Sequence, residues 1–104
     1  GQFDKAKTAW KALLTRDPQN CKAHNNLGSL AFQQQEWTIS QGEFMSTLQH
    51  CPDNVIAHYS LGNLYYGPLK NEQLSAHHYQ MTLNINPNFV YAADARKRLL
   101  ELTW

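Results

Sequence analysis

The chain has 104 residues and a net charge of +1, with 16% of its residues charged and 42% hydrophobic. This length allows one domain with a helical core but not the size that most enzymes need to enclose a pocket. So few charges argue against electrostatic capture of nucleic acid or of an anionic membrane. No apolar run approaches the ~20 residues of a membrane span, and the first residues lack the basic-then-apolar build of a signal peptide. We take the cytoplasm as the working expectation for the compartment.

Residues 1–16 are predicted to form a helix with one apolar stripe. The members of the stripe recur at three- and four-residue steps, which gather side chains on one face: Phe3, Ala6, Trp10, Leu13 and Leu14. The chain starts at Gly1 rather than Met, so we expect a piece of a longer polypeptide. Either the helix that covered this stripe lies upstream, or another molecule covers it. An uncovered apolar face predicts self-association through Phe3, Trp10 and Leu14.

The central stretch, Cys21 to Pro52, is predicted to hold two helices, Lys22 to Gln34 and Trp37 to Cys51. Both segments carry apolar residues at helical spacing. The connection Asp17-Pro18-Gln19-Asn20 precedes them, because proline can open a helix but not continue one and asparagine is a good N-cap. The connections Asp53-Asn54 and Asn86-Pro87-Asn88 are expected to join and cap helices in the same way later in the chain.

Two more helices are predicted in the second half. The first contains Leu61, Leu64 and Tyr65 and ends at Gly67-Pro68, because the residue before a proline disfavours the helical conformation. The second runs from near Asn71 to about Ile85.

A terminal capping helix is expected from Asn88 onward, apolar on its inner face and basic at Arg96 and Lys97. Its apolar residues are Phe89, Val90, Ala92, Ala93, Leu99, Leu100 and Leu102. Trp104 either folds back onto the last turn or marks only where the chain stops.

The same pattern recurs along the chain at a fixed offset. Four pairs of residues lie 34 apart: Pro18 and Pro52, Trp10 and Phe44, Ala6 and Ser40, and Leu14 and Leu48. Their next counterparts lie 35 further on: Pro87, Tyr79, Ser75 and Leu83. A fixed period in this range predicts an array of two-helix units that bury their apolar faces against neighbours. Gly28 and Gly62 occupy equivalent positions of this pattern, inside predicted helices. Glycine inside a helix costs about 1 kcal/mol relative to alanine. Its recurrence therefore predicts that another helix approaches closely at both positions.

The chain resembles the tetratricopeptide repeat family, whose first helix carries a Leu-Gly pair and a Tyr, and whose second carries a small residue, an aromatic residue and a closing Pro. The matches are Leu27-Gly28, Leu61-Gly62-x-x-Tyr65, Ala6 with Trp10, Ser40 with Phe44, and Ser75 with Tyr79. The resemblance implies an all-α fold of antiparallel helix-pair repeats, stacked as a short right-handed solenoid with a C-terminal capping helix. It implies a single domain over 1–104, with a half repeat at 1–18, full repeats at 21–52 and 55–87, and the capping helix at 88–103.

The family's usual activity is to hold a peptide or a partner's helix in a concave groove lined by first helices. Carried onto this chain, the groove positions in the central repeat are Lys22, Asn25, Asn26, Ser29, Phe32 and Gln33. Those in the next repeat are Ile56, Tyr59, Ser60, Asn63 and Tyr66, and those in the terminal helix are Tyr91, Asp94 and Arg98. Asparagine amides would bond a ligand backbone, and aromatic rings would supply rigid contact area.

Two residue types suggest other chemistry. His77 and His78 are adjacent, so on a helix they diverge by about 100° and cannot converge on one ion. His24 and His58 occupy equivalent repeat positions, where we expect spacers between helices rather than metal ligands. Cys21 and Cys51 could be bridged if their α-carbons come within ~7 Å, but free thiols are the favoured interpretation.

Catalysis finds no support in known motifs, since the chain lacks a Gly-rich phosphate loop, G-x-S-x-G and H-E-x-x-H. We therefore expect no enzyme, no cofactor and no metal. The first hypothesis is a module that binds another protein or peptide, without binding nucleic acid or inserting into a membrane. The alternative is a self-assembly element that forms homo-oligomers through the uncapped first helix. A third is an accessory domain of an enzyme.

Overall fold

The computed structural model describes residues 1–103. Over this range the chain forms six α-helices and no strand, which confirms the predicted all-α class. The helices are α1 Gln2–Arg16, α2 Cys21–Gln33, α3 Trp37–His50, α4 Val55–Tyr66, α5 Glu72–Ile85 and α6 Ala92–Leu102. Within the described range, every helix is too short or too polar to cross a membrane.

The chain divides into two compact units, of which unit 1 is Gly1–Pro52 and unit 2 begins at Asp53. In unit 1, α2 packs against α3 and α1 packs against α2; in unit 2, α5 packs against both α4 and α6. Packing between consecutive helices is what a repeat of helix pairs requires. The prediction of one domain with the repeat boundaries given above stays a prediction.

The α2–α3 pair and the α4–α5 pair are antiparallel. In unit 1 the start of α2 meets the end of α3 at Cys21 and Cys51, while Phe32 near the end of α2 meets Trp37 at the start of α3. The same small residue fastens both pairs, since Ser40 donates its hydroxyl to the Gly28 carbonyl (2.8 Å) in unit 1. The equivalent residue in unit 2, Ser75, donates its hydroxyl to the Gly62 carbonyl at 2.9 Å. The repeat predicted from the sequence therefore corresponds to a repeated contact.

The two helix glycines lie where an aromatic ring of the partner helix comes closest. A β-carbon on Gly28 would lie 2.9 Å from three ring atoms of Phe44, and one on Gly62 would lie 2.6 Å from the Tyr79 ring. Both distances are shorter than real contacts allow, so only glycine fits without a shift. The expected close approach is confirmed, with Phe44 and Tyr79 completely buried at these contacts.

Asparagine caps three of the helices, as predicted for Asn20 and Asn54, whereas the predicted cap at Asn86-Pro87-Asn88 is wrong because the N-cap of α6 is Tyr91. Asn20 and Asn54 each accept a bond from the backbone amide three residues on, at 2.9 Å, and Asn71 does so at 3.1 Å. Each cap satisfies a backbone amide that lacks a partner within its own helix. The predicted stop at Gly67-Pro68 is confirmed as well, because α4 ends at Tyr66.

The last helix differs from its prediction. It begins at Ala92 rather than near Asn88, because the Phe89 amide donates to the Asn86 carbonyl and the Ala92 amide to the Phe89 carbonyl, which form turns instead of helix. The expectation that its apolar residues all face inward is wrong for three of them, since Val90 is 77% exposed, Leu100 is 68% exposed and Ala93 is exposed as well. The expectation for Trp104 lies outside the described residues.

Candidate functional site

Three helices of unit 2 meet at a network of polar side chains. The Asn63 side-chain carbonyl on α4 accepts bonds from the Tyr79 hydroxyl on α5 and from Nη1 of Arg98 on α6, each at 2.6 Å. The same guanidinium nitrogen lies 3.0 Å from the Tyr79 hydroxyl. Two donors on one oxygen fix the orientation of the Asn63 amide, which leaves its amino group as a donor.

A carboxylate extends this network along α4 and α6. The Tyr59 hydroxyl donates to Asp94 Oδ2 at 2.6 Å, and Arg98 Nε lies 3.5 Å from the same oxygen. Residues four apart on a helix lie on one face, so Tyr59 and Asn63 on α4 present their side chains to Asp94 and Arg98 on α6. We call Tyr59, Asn63, Tyr79, Asp94 and Arg98 the polar network.

Aromatic rings flank the polar network. Tyr59 stacks on Tyr91, with ring centroids 5.2 Å apart, and meets the edge of Phe89 at 5.6 Å. The Arg98 guanidinium carbon lies 4.8 Å from the centre of the Tyr66 ring, a cation–π contact. Tyr66 also donates its hydroxyl to Glu101 at 2.5 Å. Exposed ring faces of Tyr66 and Tyr91 therefore border the network.

The phenols of this site are held in their neutral form. Burial, and the hydrogen bond to Asp94, raise the pKa of Tyr59 to about 12. Burial also raises the pKa of Tyr79, and the hydrogen bond to Glu101 raises that of Tyr66. These hydroxyls therefore stay protonated to higher pH than those of free tyrosines, and they donate to carboxylate and amide acceptors. The side chains of this site can form hydrogen bonds and ring contacts, which are interactions suited to binding.

Six predicted groove residues thus meet in or beside one site: Tyr59, Asn63, Tyr66, Tyr91, Asp94 and Arg98. Of the others in unit 2, Ile56 is exposed and Ser60 is half-buried. In unit 1, Lys22 and Gln33 are exposed, and Asn26, Ser29 and Phe32 are half-buried. Asn25 is 7% exposed, so little of its amide is accessible to a ligand.

Sequence reasoning missed Tyr79 and Glu101 as members of this site. The repeat period could have revealed the contact of Glu101, because Tyr66 bonds to Glu101, which lies 35 positions later. The pairs Tyr59–Asp94 and Asn63–Arg98 show the same separation. Equivalent positions of α4 and α6 therefore face each other.

The predicted self-association face lies on α1. No residue of this helix is buried; Phe3 is 45% exposed, and Trp10 and Leu14 are half-buried. Phe3 also lines a cavity of about 140 Å³ with Leu27 and Ile39. Within unit 1, the apolar face of α1 is thus only partly covered.

The two histidines at equivalent positions both bridge helices. His24 Nδ1 lies 2.8 Å from Glu43 and its Nε2 lies 2.9 Å from the Pro18 carbonyl. His58 Nδ1 lies 3.0 Å from His78 Nδ1. Among residues 1–103, no three His, Cys, Asp or Glu side chains are grouped so that they could hold a metal ion.

Cys21 and Cys51 form a disulfide, with α-carbons 6.5 Å apart. The interpretation of free thiols is therefore wrong. The antiparallel pairing brings the start of α2 beside the end of α3, which places both cysteines within bridging distance.

No protein-family model matches the chain, and a search of curated proteins gives no match. The tetratricopeptide resemblance therefore rests on the residues of the chain itself.

Proposed function

We propose that the chain is a protein-binding module of the tetratricopeptide type, and that unit 2 binds a peptide or a partner helix through the polar network. The observation that carries this proposal is that predicted groove positions of α4 and α6 meet in one network, with its orientation fixed by Asn63 and Arg98. The repeated Ser–Gly bonds and Gly–aromatic contacts of the two units support the family assignment.

The composition of the site suits recognition of protein. Tyrosine and arginine are enriched at residues that dominate binding energy, since they combine apolar area with hydrogen bonds. Side chains already held by neighbours lose little conformational entropy when a ligand arrives. Tyr59 and Arg98 are both held in this way while remaining partly exposed. The expectations of no catalysis and no cofactor stay predictions.

The test begins with selection of peptides from a random displayed library on the immobilised chain. Selected peptides are then measured by calorimetry against Asn63→Ala and Arg98→Ala, which should weaken binding at least about tenfold by removing hydrogen bonds to or within the site. Asn84→Ala is the matched control, because Asn84 is an exposed asparagine of α5 that bonds only Gln80 among the contacts described.

Equal affinity for wild type, Asn63→Ala and Arg98→Ala would contradict binding at the polar network. A library that yields no peptide above background would contradict peptide recognition itself. Circular dichroism of each variant, compared with wild type, shows whether lost binding reflects lost helix.

A second function, self-assembly through α1, is favoured by the partial exposure of its apolar face. Under this proposal Phe3, Trp10 and Leu14 meet a second copy of the chain. Sedimentation velocity across a concentration series should show dimers in wild type and fewer in Phe3→Ser. Val90→Ser is the control, since Val90 is a more exposed apolar residue in unit 2. A monomer at every concentration would overturn the assembly function and leave the binding function intact.

The compartment is a separate part of the proposal. Structural disulfides persist in oxidising compartments and are rare in the cytosol. The Cys21–Cys51 bond therefore counts against the expectation of the cytoplasm. Thiol labelling of the chain extracted from its native source under acid quench would distinguish an oxidised from a reduced pair.

A further inference from the structure

Each unit has a histidine at the equivalent position of its first helix, but the residue that this histidine contacts on the second helix differs. His24 in unit 1 and His58 in unit 2 are equivalent positions, 34 residues apart. Their partners, Glu43 and His78, are also equivalent, because they lie 35 apart, the offset that the other second-helix positions of this repeat show. One pair joins a histidine to a carboxylate at 2.8 Å, whereas the other joins two histidines at 3.0 Å.

These two pairs respond to protons in opposite directions. A proton on His24 creates a cation beside the Glu43 carboxylate, which strengthens that contact. In unit 2 a neutral pair can share one Nδ1–H between the two rings. The first added proton puts a positive charge into a buried site, and a second places two Nδ1–H donors face to face.

We propose that the His58–His78 pair makes unit 2 an acid-sensitive element, so that mild acidification weakens the packing of α4 on α5 while the His24–Glu43 pair keeps α2 and α3 together. The proposal does not depend on whether the polar network binds a peptide. If it does, loss of the α4–α5 packing also disassembles the network, because Asn63 lies on α4 and Tyr79 on α5.

The surroundings of the pair reinforce this response. His58 is 5% exposed and His78 is 8% exposed, and the Tyr65 ring stacks on His78 at 5.8 Å. The neighbouring His77 on α5 adds a further positive charge when protonated, with its ring 5.0 Å from that of His78.

Among residues 1–103, no carboxylate offsets these charges at His78. Burial, followed by the charges of His58 and His77, lowers the pKa of His78 to about 4. Two charged groups of α6, which also packs against α5, are engaged elsewhere, since Asp94 and Arg98 bond to Tyr59, Asn63 and Tyr79.

The test measures backbone hydrogen exchange helix by helix in the full chain, at about pH 7.5 and about pH 5, with intrinsic exchange rates divided out. An unfolded histidine titrates near 6.5, so the opening equilibrium of α4 and α5 should rise about 30-fold at the lower pH. The opening equilibrium of α2 and α3 should stay constant or fall. The same change in all four helices, or in none, would overturn the proposal.

Variants exchange the two pairings. His78→Glu gives unit 2 the partner found in unit 1, and should abolish the acid response of α4 and α5. Glu43→His should create one in α2 and α3. His77→Gln is the matched control, because it removes the adjacent exposed histidine and keeps the pair; it should retain most of the response.

A measurement on wild type covers the case in which the variants fold poorly. Nitrogen chemical shifts of the His78 ring report its protonation directly in the folded chain. A ring that stays neutral down to about pH 5 supports the proposal, whereas one that titrates near 6.5 overturns it.

Discussion

Units 1 and 2 share one repeat but are stabilised by different chemistry. Each fastens a helix pair with a serine-to-glycine bond and an aromatic ring over a glycine. Around this common contact, unit 1 adds a disulfide and a histidine–carboxylate pair, whereas unit 2 adds a polar network and a histidine pair. All five tyrosines lie in unit 2. A few positions thus define the repeat, and the remaining contacts vary without loss of the fold.

The difference predicts that each unit has its own vulnerability. A covalent bond holds unit 1 whatever the pH, and only a reductant removes it. The hydrogen bonds of unit 2 depend on neutral imidazoles and neutral phenols, so both acid and alkali weaken it.

The largest expected effect comes from removing the disulfide. Chain-entropy arguments give about 3–4 kcal/mol for a loop of this length, and that loss should fall on unit 1. Hydrogen exchange of α2 and α3 should accelerate on reduction while that of α4 and α5 is unchanged. The double variant Cys21→Ala with Cys51→Ala is the control, since reductant should have no effect on it. Equal acceleration in both units would contradict the assignment of this stabilisation to unit 1.

A smaller effect is expected from adding a methyl group at the two repeat glycines. Gly62→Ala should cost about 2 kcal/mol, because overpacking outweighs the helix preference of alanine. Tyr79 cannot yield easily, since its hydroxyl is bonded to Asn63 and Arg98. Gly28→Ala should cost about half as much, since the Phe44 ring carries no polar group that fixes it. Urea unfolding measures both values, and a larger cost at Gly28 would contradict this ranking.

Tyr79→Phe makes the ring of unit 2 identical to that of unit 1. The variant should lose about 1 kcal/mol, because the hydroxyl no longer donates to Asn63 or accepts from Arg98. The Gly62 contact should survive, since the ring remains. Thermal unfolding gives the stability, and an unchanged midpoint would show that the hydroxyl contributes nothing to unit 2. Tyr91→Phe, which removes an exposed hydroxyl, is the control.

The smallest effect is expected in alkali. The folded pKa of Tyr59 is about 12, while an unfolded tyrosine ionises near 10. Its stabilising contribution is therefore complete below pH ~10 and is lost as the pH rises towards 12. Tyrosinate absorbance reports unit 2 alone, and it should show a late-ionising phenol that moves to lower pH in Asp94→Asn. Ionisation of all five tyrosines together near 10 would contradict the buried hydrogen bond.

Much of the fold could be predicted from local pattern. Periodic apolar residues defined five helices to within a few residues, and the phase shared by Gly28 and Gly62 indicated the close approach that the structure shows. The start of α6 was mispredicted because the turns around Asn86 and Phe89 depend on backbone bonds that apolar spacing does not reveal.

The candidate site was only partly predictable. The family resemblance placed Tyr59, Asn63, Asp94 and Arg98 in one groove, but their mutual bonds depend on how α4, α5 and α6 are oriented in space. The disulfide was missed for a similar reason, because the sequence placed Cys21 and Cys51 on the same side without giving the direction of their side chains.

The Cys21–Cys51 bond also gives the chain an unequal response to mechanical force. When the two ends of the chain are pulled, the force passes from Cys21 to Cys51 through the sulfur atoms. The segment between them, a sequence separation of 30 residues, is therefore not stretched. About 100 Å of contour is then withheld from extension, at ~3.3–3.6 Å per residue. Helices α2 and α3 would carry no load, whereas α4 and α5 would unravel under it. A reductant added during stretching would release the hidden length in a single step.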